Sequence, residues 1–316
     1  MDLTIIIVSW NVRALLRRCL QSIPSDGPAI QVIVVDNASS DGSAEMVRAE
    51  FPHVHLITNK ENRGFTAANN QGLALSRGRH LLLLNPDTEI VGDALATMTS
   101  YIAHNAAVGV VGPQILYPDG SLQSSRRRFP TLATALVEST VVQEWWGDNQ
   151  ILRRYYMADT PDDAIQAVDW VVGACMLVRR QAYEQVGGLD EGFFMYSEEL
   201  DWCQRIKEAG WEVVYLPTAT IIHHEAQSSD QVVAARHIYF QSSKVRYFHK
   251  HHGPLQGGLV RTFLLATYVY QLMREGLKWL VGHKRPLRQE RLDAYWQVLR
   301  SGLGPAPAPA ARVQKR

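Results

Sequence analysis

Along the first ninety residues, runs of consecutive apolar positions alternate with segments in which apolar residues recur every three or four positions. Leu3–Trp10 (LTIIIVSW) reads as a strand buried on both faces, and Ala14–Ile23 places Leu15, Leu16, Cys19, Leu20 and Ile23 on one helical face before Pro24 to Pro28 close the unit. Gln31–Val35 is a second strand, and Ser39, Ser40, Asp41 and Gly42 form a turn and cap ahead of a helix over Ser43–Phe51. His55–Thr58 and a helix over Thr66–Ser76 follow, and then four consecutive leucines run into Asn85, Pro86 and Asp87. Strand and helix alternating over short connections predict a parallel sheet wound with helices on both faces.

Beyond Gly92–Asn105, which reads as a helix, the pattern predicts a strand at Val108–Leu116. A helix entered at Glu198 and closed at Gly210 is followed by short strands at Glu212–Leu216 and Ala219–Ile222. Helices are predicted over Val232–His252 and Leu259–Val281. Leu132–Asp163 yields only a helix and a long loop.

Three of the predicted strands end in polar groups on one rim: Asn11, Asp36-Asn37, and Asn85 with Asp87. Ligands in open α/β sheets bind outside such strand ends. Pro86 has a fixed φ and no N–H, so it stops the ladder and holds Asp87 rigidly, although Asp87 is equally readable as a turn or cap residue. No glycine-rich phosphate loop follows any strand, which disfavours a Rossmann dinucleotide site. A second set of acids, Glu198, Glu199 and Asp201, stands behind Phe193, Phe194 and Met195. The helix dipole favours acids in a first turn whatever their role, but three behind an aromatic pocket exceed what capping needs. Arg126, Arg127 and Arg128 form either a solvated surface or, in the sharper alternative, a contact for an anionic acceptor.

Charge changes the picture at one end. Residues 244–316 hold 14 Lys and Arg against 3 Asp and Glu, so the net charge of +1 conceals a basic tail behind an acidic body, and a general nucleic-acid binder is disfavoured. Within Leu259–Val281 the longest uncharged run, Thr262–Met273, is too short to span a bilayer of roughly 30 Å. Basic residues with Trp279, Tyr268 and Tyr270 suit a helix lying on an anionic membrane surface; a helical hairpin packed on the body or on another subunit is the alternative. Cys19, Cys175 and Cys203 lie in apolar stretches at no metal-ligand spacing and read as reduced core thiols of a cytosolic protein. Met1–Trp10 lacks the features of a signal peptide.

The set of SWN at Ser9–Asn11, DNASSDGS at Asp36–Ser43, Asn62-Arg63-Gly64-Phe65 with AANN to Asn70, and NPD at Asn85–Asp87 resembles the family-2 inverting glycosyltransferases, and among them bacterial rhamnosyltransferase-type members. The resemblance runs from about Leu3 to about Ser229. It implies a GT-A fold: an α/β chain with a Rossmann-like, mostly parallel sheet, helices on both faces, and C-terminal helices in addition. Residues 1–252 would be the catalytic domain, with a nucleotide-sugar half to about 115 and an acceptor half over about 116–229. Residues 253–300 would be a basic amphipathic extension and 301–316 a disordered tail.

The resemblance further implies a nucleotide-sugar donor bound by Asp36, with Ser9, Asn11, Asn37, Asn62, Gly64, Asn69 and Asn85 shaping its pocket and Gly173-Ala174 passing close to the sugar. Asp87 would bind Mg²⁺ or Mn²⁺, with a histidine of the HHEAQSS run: His223 by spacing to Ser228, or His224. Many relatives carry more acids here, so diphosphate oxygens and water would complete the coordination shell. The family's Glu-Asp pair stands as Glu198-Glu199, which matches Glu199 to the base that takes the acceptor hydroxyl proton and leaves Glu198 in reserve. Trp170, Asp201 and Arg127 would face the acceptor, with plain core strand the alternative for Trp170. The expected activity is metal-dependent inverting transfer, first from dTDP-rhamnose, to a glycan or lipid-linked acceptor at the inner face of the cell membrane. A sugar-1-phosphate nucleotidyltransferase and a non-catalytic glycan- or nucleotide-binding module are the alternatives.

Overall fold

A computed structural model describes residues 2–24, 29–224, 233–282 and 284–304. Ser228 and the tail from residue 305 onward lie outside the described residues. The first half alternates as expected: β1 Leu3–Ser9, α1 Arg13–Ser22, β2 Ile30–Asp36, α2 Ser43–Glu50, β3 His55–Thr58, α3 Phe65–Leu75 and β4 His80–Leu84. Then come β5 Thr88–Ile90, α4 Ala94–His104, β6 Val108–Leu116, β7 Leu122–Gln123 and β8 Arg126–Arg127. The segment that resisted sequence reading holds three short helices, α5 Leu132–Val137, α6 Val141–Trp145 and α7 Gln150–Tyr155. They are followed by β9 Gln166–Val168, β10 Trp170–Val171, β11 Cys175–Arg179, α8 Arg180–Val186, α9 Glu198–Glu208 and β12 Glu212–His223. Three helices close the chain: α10 Val233–His252, α11 Pro254–Leu280 and α12 Arg285–Ser301.

The main sheet runs β3-β2-β1-β4-β11-β6-β12-β5. β1 pairs in parallel with β2 and β4, and Ser9 stands level with Asp36 while Ile7 stands level with Leu84. That register brings the three polar strand ends to one rim. β11 enters antiparallel between β4 and β6, which carries Gly173-Ala174 to the same rim. The two short strands expected after Gly210 are one, β12, whose register shifts between Leu216 and Thr220.

Continuous apolar runs are explained by burial on both sides of the sheet. Leu82 and Leu84 pack with Ile5, Ile7 and Leu16 on one face, whereas Leu81 and Leu83 pack with Ile6, Met176 and Trp202 on the other. α10 lays Tyr247 and Phe248 into the second core, where they meet Val260 and Leu264 of α11 and Val298 of α12. The three cysteines are free and buried, and burial pushes the Cys19 and Cys203 thiols up to about 12. Among the described residues no helix is long and apolar enough to cross a membrane.

Candidate active site

The loop after β2 is clamped to the end of β1. The Asn11 N–H donates to Ser39 Oγ at 3.0 Å, and Asn11 Oδ1 accepts from the Ser40 N–H at 2.8 Å, with Asn11 itself at φ 55°. Asp36 is buried; its Oδ2 accepts from the Ser39 N–H at 3.1 Å, and its Oδ1 has no partner among the described residues. Ser9 Oγ is likewise buried and unpartnered. Buried polar atoms are nearly always paired, so these two at a strand end mark where a ligand's polar groups belong.

Asn37 acts as a bracket. Its Nδ2 donates to Asn62 Oδ1 at 2.8 Å and to the Gly64 carbonyl at 3.1 Å, while its Oδ1 accepts from Asn59 Nδ2 and the Arg63 N–H at 3.0 Å. Gly64, at φ 86°, lies where a Cβ would come within 2.7 Å of Phe194, and the Phe65 N–H donates to the Phe194 carbonyl at 2.9 Å. The loop before α3 is thereby fastened to the loop before α9. Asn69 is buried with its Nδ2 spent on the Phe65 carbonyl at 2.9 Å, so it supports the pocket wall.

At the end of β4, Asp87 is 5% exposed and its Oδ1 stands 3.3 Å from His223 Nε2. His223 Nδ1 is 2.8 Å from Gln123 Oε1. With Nδ1 donating to that oxygen, Nε2 turns its lone pair toward Asp87, the arrangement that orients an imidazole ligand. His224 points elsewhere: its Nε2 lies 2.6 Å from Glu89, which also pairs with Arg18. A carboxylate oxygen and an imidazole nitrogen side by side fit a divalent cation such as Mg²⁺ or Mn²⁺. Among the described residues no three acid, histidine or cysteine side chains gather around one point, so the pair leaves coordination positions open to ligands such as diphosphate oxygens and water. Nothing in the sequence singled out Gln123.

Two consecutive left-handed residues, Tyr196 at φ 71° and Ser197 at φ 62°, turn the chain into α9. Non-glycine residues held this way are strained and collect at functional sites. Glu198 is buried, and one carboxylate oxygen of each of Glu198 and Glu199 is buried without a hydrogen-bond partner among the described residues. Burial raises the pKa of both, and for Glu198 the neighbouring Glu199 charge adds to the rise. Glu199 lines a cavity of about 180 Å³ with Arg127, Trp170, Tyr156, Phe240 and Lys244. Arg127 lies 4.6 Å over the Tyr156 ring, and Trp170 Nε1 donates to the Arg128 carbonyl at 2.9 Å. Tyr156, Phe240 and Lys244 carried no site assignment from sequence.

The donor rim and this cavity meet at Gly173-Ala174. A Cβ on Gly173 would touch Glu199 Cβ at 3.6 Å, and the Ala174 carbonyl accepts from the Asn85 N–H at 2.9 Å.

One expectation for the acceptor side needs correction. Asp201 is fully buried and faces away from the cavity, toward α10. Arg205 Nε donates to it at 2.8 Å, and Lys250 Nζ and His251 Nε2 reach it at 2.6 and 2.7 Å. The arginine run is also divided: Arg126 is buried against Asp162 at 2.7 Å, Arg128 approaches Asp169 at 3.8 Å, and only Arg127 enters the cavity. Burial opposes ionisation of Asp201, but the hydrogen bonds from His251 and Lys250 outweigh it and lower its pKa. A lowered folded value means that Asp201 contributes stability above its ordinary carboxylate range, and this is lost as pH falls through the folded value. Asp201→Asn should therefore destabilise the protein at pH 7 by about 3–5 kcal/mol, the penalty for breaking a buried ion pair, and the deficit should shrink in acid. Thermal melts against pH measure it; an unchanged melt with weakened acceptor binding would restore Asp201 to the acceptor site.

The glycosyl transferase family 2 profile matches residues 4–187. N-acetylglucosaminyl-diphospho-decaprenol L-rhamnosyltransferase of Mycobacterium tuberculosis is 30% identical over 240 residues, covering 72% of this chain and 77% of that protein. Rhamnosyltransferase WbbL of Escherichia coli K12 is 28% identical over 255 residues, covering 77% and 91%. Among solved structures, mannosyltransferase PcManGT of Pyrobaculum calidifontis in complex with GDP-Man and Mn²⁺ superposes with TM-score 0.52 at 17% identity, covering 96% of this chain and 87% of that one. GalNAc-T7 with UDP, GalNAc and Mn²⁺ gives 0.54 at 13% identity, covering 79% of this chain and 51% of that one. These likenesses bear out the expected GT-A fold. The family profile extends over more than half of the chain and the mycobacterial relative over 72% of it, and on both counts this protein belongs to glycosyl transferase family 2.

Proposed function

We propose that this glycosyltransferase carries out metal-dependent inverting transfer of a sugar, rhamnose from dTDP-rhamnose being the first donor to test, onto a lipid-linked or polysaccharide acceptor of the cell envelope. The observation that carries the reading is the junction at Gly173-Ala174, which brings the Asp87–His223 pair and the Glu199 carboxylate to one end of the sheet. Asp36 and Ser9 would take the nucleoside, while Asn37, Asn62, Gly64 and Asn69 hold the pocket's shape. Asp87 and His223 would hold the divalent cation, which when bound neutralises charge on the departing diphosphate. Glu199, whose pKa burial raises, would take the proton of the acceptor hydroxyl as its oxygen attacks the anomeric carbon from the face opposite the diphosphate. Trp170 and Tyr156 would pack against the acceptor ring, with Arg127 beside them. The relatives' names support rhamnose and a diphospho-lipid acceptor, and the basic C-terminal helices support residence on an anionic inner membrane face.

The test is turnover of dTDP-rhamnose with an N-acetylglucosaminyl diphospho-polyprenol, followed by NMR assignment of the new anomeric centre. Inverted product is expected. Retention of configuration, or no product with any nucleoside diphosphate sugar supplied with Mn²⁺, would overturn the reading.

A further inference from the structure

None of the described residues covers one face of α11. Leu255, Leu259, Val269, Met273, Leu277 and Leu280 are exposed, with Thr262 and Ala266 filling the interval between the second and third at helical spacing. The stripe holds no charged residue and runs about 40 Å, the length of a 27-residue helix. Its opposite face is spent on the core through Val260, Leu264 and Tyr268. Soluble surfaces rarely expose a continuous apolar strip of this extent. Beside it stands α6, whose Trp145 and Trp146 are 67% and 52% exposed; the Trp145 ring sits 5.6 Å from that of Tyr270, and Arg274 pairs with Glu144 at 2.5 Å.

We propose that this stripe and the α6 tryptophans form one docking surface for an anionic lipid bilayer. It deepens the proposed transfer to a lipid-linked acceptor by naming the residues that meet the lipid. Charge complementarity favours a bilayer over a second copy of the chain. Lys284 and Arg285, both exposed, follow the end of the stripe, where anionic headgroups would neutralise them and a second copy of the apolar stripe would not. Indole and phenol rings beside an apolar stripe are the composition of helices lying in the headgroup layer. The surface also adjoins the cavity. Glu138, one residue beyond α5, lines it and holds Lys244 at 2.6 Å, and three residues further α6 begins. Docking through α6 and α11 would thus bring the cavity wall to the lipid layer, where the reacting end of a lipid-linked acceptor resides.

The experiment is co-sedimentation of the full chain with vesicles of phosphatidylcholine plus phosphatidylglycerol and with phosphatidylcholine alone. Native protein, Met273→Glu with Leu277→Glu, and Lys284→Gln with Arg285→Gln are compared, and each is assayed on a short, water-soluble acceptor diphosphate. Expected are binding to the anionic vesicles, a loss of about 10-fold or more in either double variant, a blue shift of tryptophan emission on binding, and unchanged turnover of the soluble acceptor. Vesicle binding identical in native protein and Met273→Glu/Leu277→Glu would overturn the proposal. So would a native dimer, indifferent to vesicles, that the same variant converts to monomers. Failure of the transferase reading would look different: vesicle binding as expected, with no turnover of either acceptor.

Discussion

Replacing Glu199 with Gln is expected to lower kcat by about 10²- to 10⁴-fold while the fold and nucleotide binding are retained, since general-base contributions are of that size. Glu199 and Glu198 are adjacent in the first turn of α9, and the helix sends them in different directions. Glu199 reaches the cavity beside Arg127 and Trp170, whereas Glu198 is buried outside it. Because burial raises the Glu199 pKa, the acidic limb of kcat/KM should lie above the ordinary glutamate range of about 4.3, with rate rising as pH passes through the folded value. The variant should lose the limb together with the rate. Glu198→Gln is the control. The folded pKa of Glu198 is raised, so it favours the native state while protonated, and that advantage disappears as pH rises through the folded value. An amide that never ionises should leave kcat within a few-fold of native and raise the Tm at pH 8 more than at pH 5. If Glu198→Gln abolishes turnover and Glu199→Gln does not, the roles are reversed. If neither does, another group takes the acceptor proton, whereas a non-catalytic binding module predicts no turnover in the native protein at all.

How much of this was legible in the sequence depends on the residue. The four-leucine strand could be read because consecutive apolar residues need cover on both faces. The direction of β11 could not, since CMLVR is equally apolar whichever way it runs and its neighbours β4 and β6 are distant in the chain. Helices α5, α6 and α7 announce themselves only by their caps, Thr131, Thr140 and Asn149, because five or six residues give too little periodicity. Asp201 offered a local warning: Arg205 follows at i+4, the spacing of a helical ion pair. The contacts that seal its role, Lys250 and His251, arrive from a helix fifty residues away. Gln123 gave no sign, for a glutamine in a polar loop becomes significant only when the end of β12 sets His223 against it.

The donor site should fail most completely at Asp87. Calorimetric titration with dTDP and with UDP is expected to show Mn²⁺-dependent binding in the native protein, weak binding of the metal alone, and a loss of about 100-fold or more in Asp87→Ala. Disturbing even a residue behind a metal ligand costs 10- to 100-fold, and Asp87 would itself touch the cation. Weak binding of free metal follows from the sparse donor set, one oxygen and one nitrogen among the described residues, so that nucleotide and cation would bind together or hardly at all. Gln123→Ala offers a graded check. It leaves both ligands in place but frees the His223 ring to turn or change tautomer, so affinity should fall less than in Asp87→Ala, with the remaining binding still Mn²⁺-dependent. Full-strength binding in Asp87→Ala would move the cation away from the end of β4 and remove the electrostatic reason for a buried aspartate there. A parallel loss in both variants, largest in Asp87→Ala, would tie the rigid turn at Pro86 to the chemistry of the departing diphosphate.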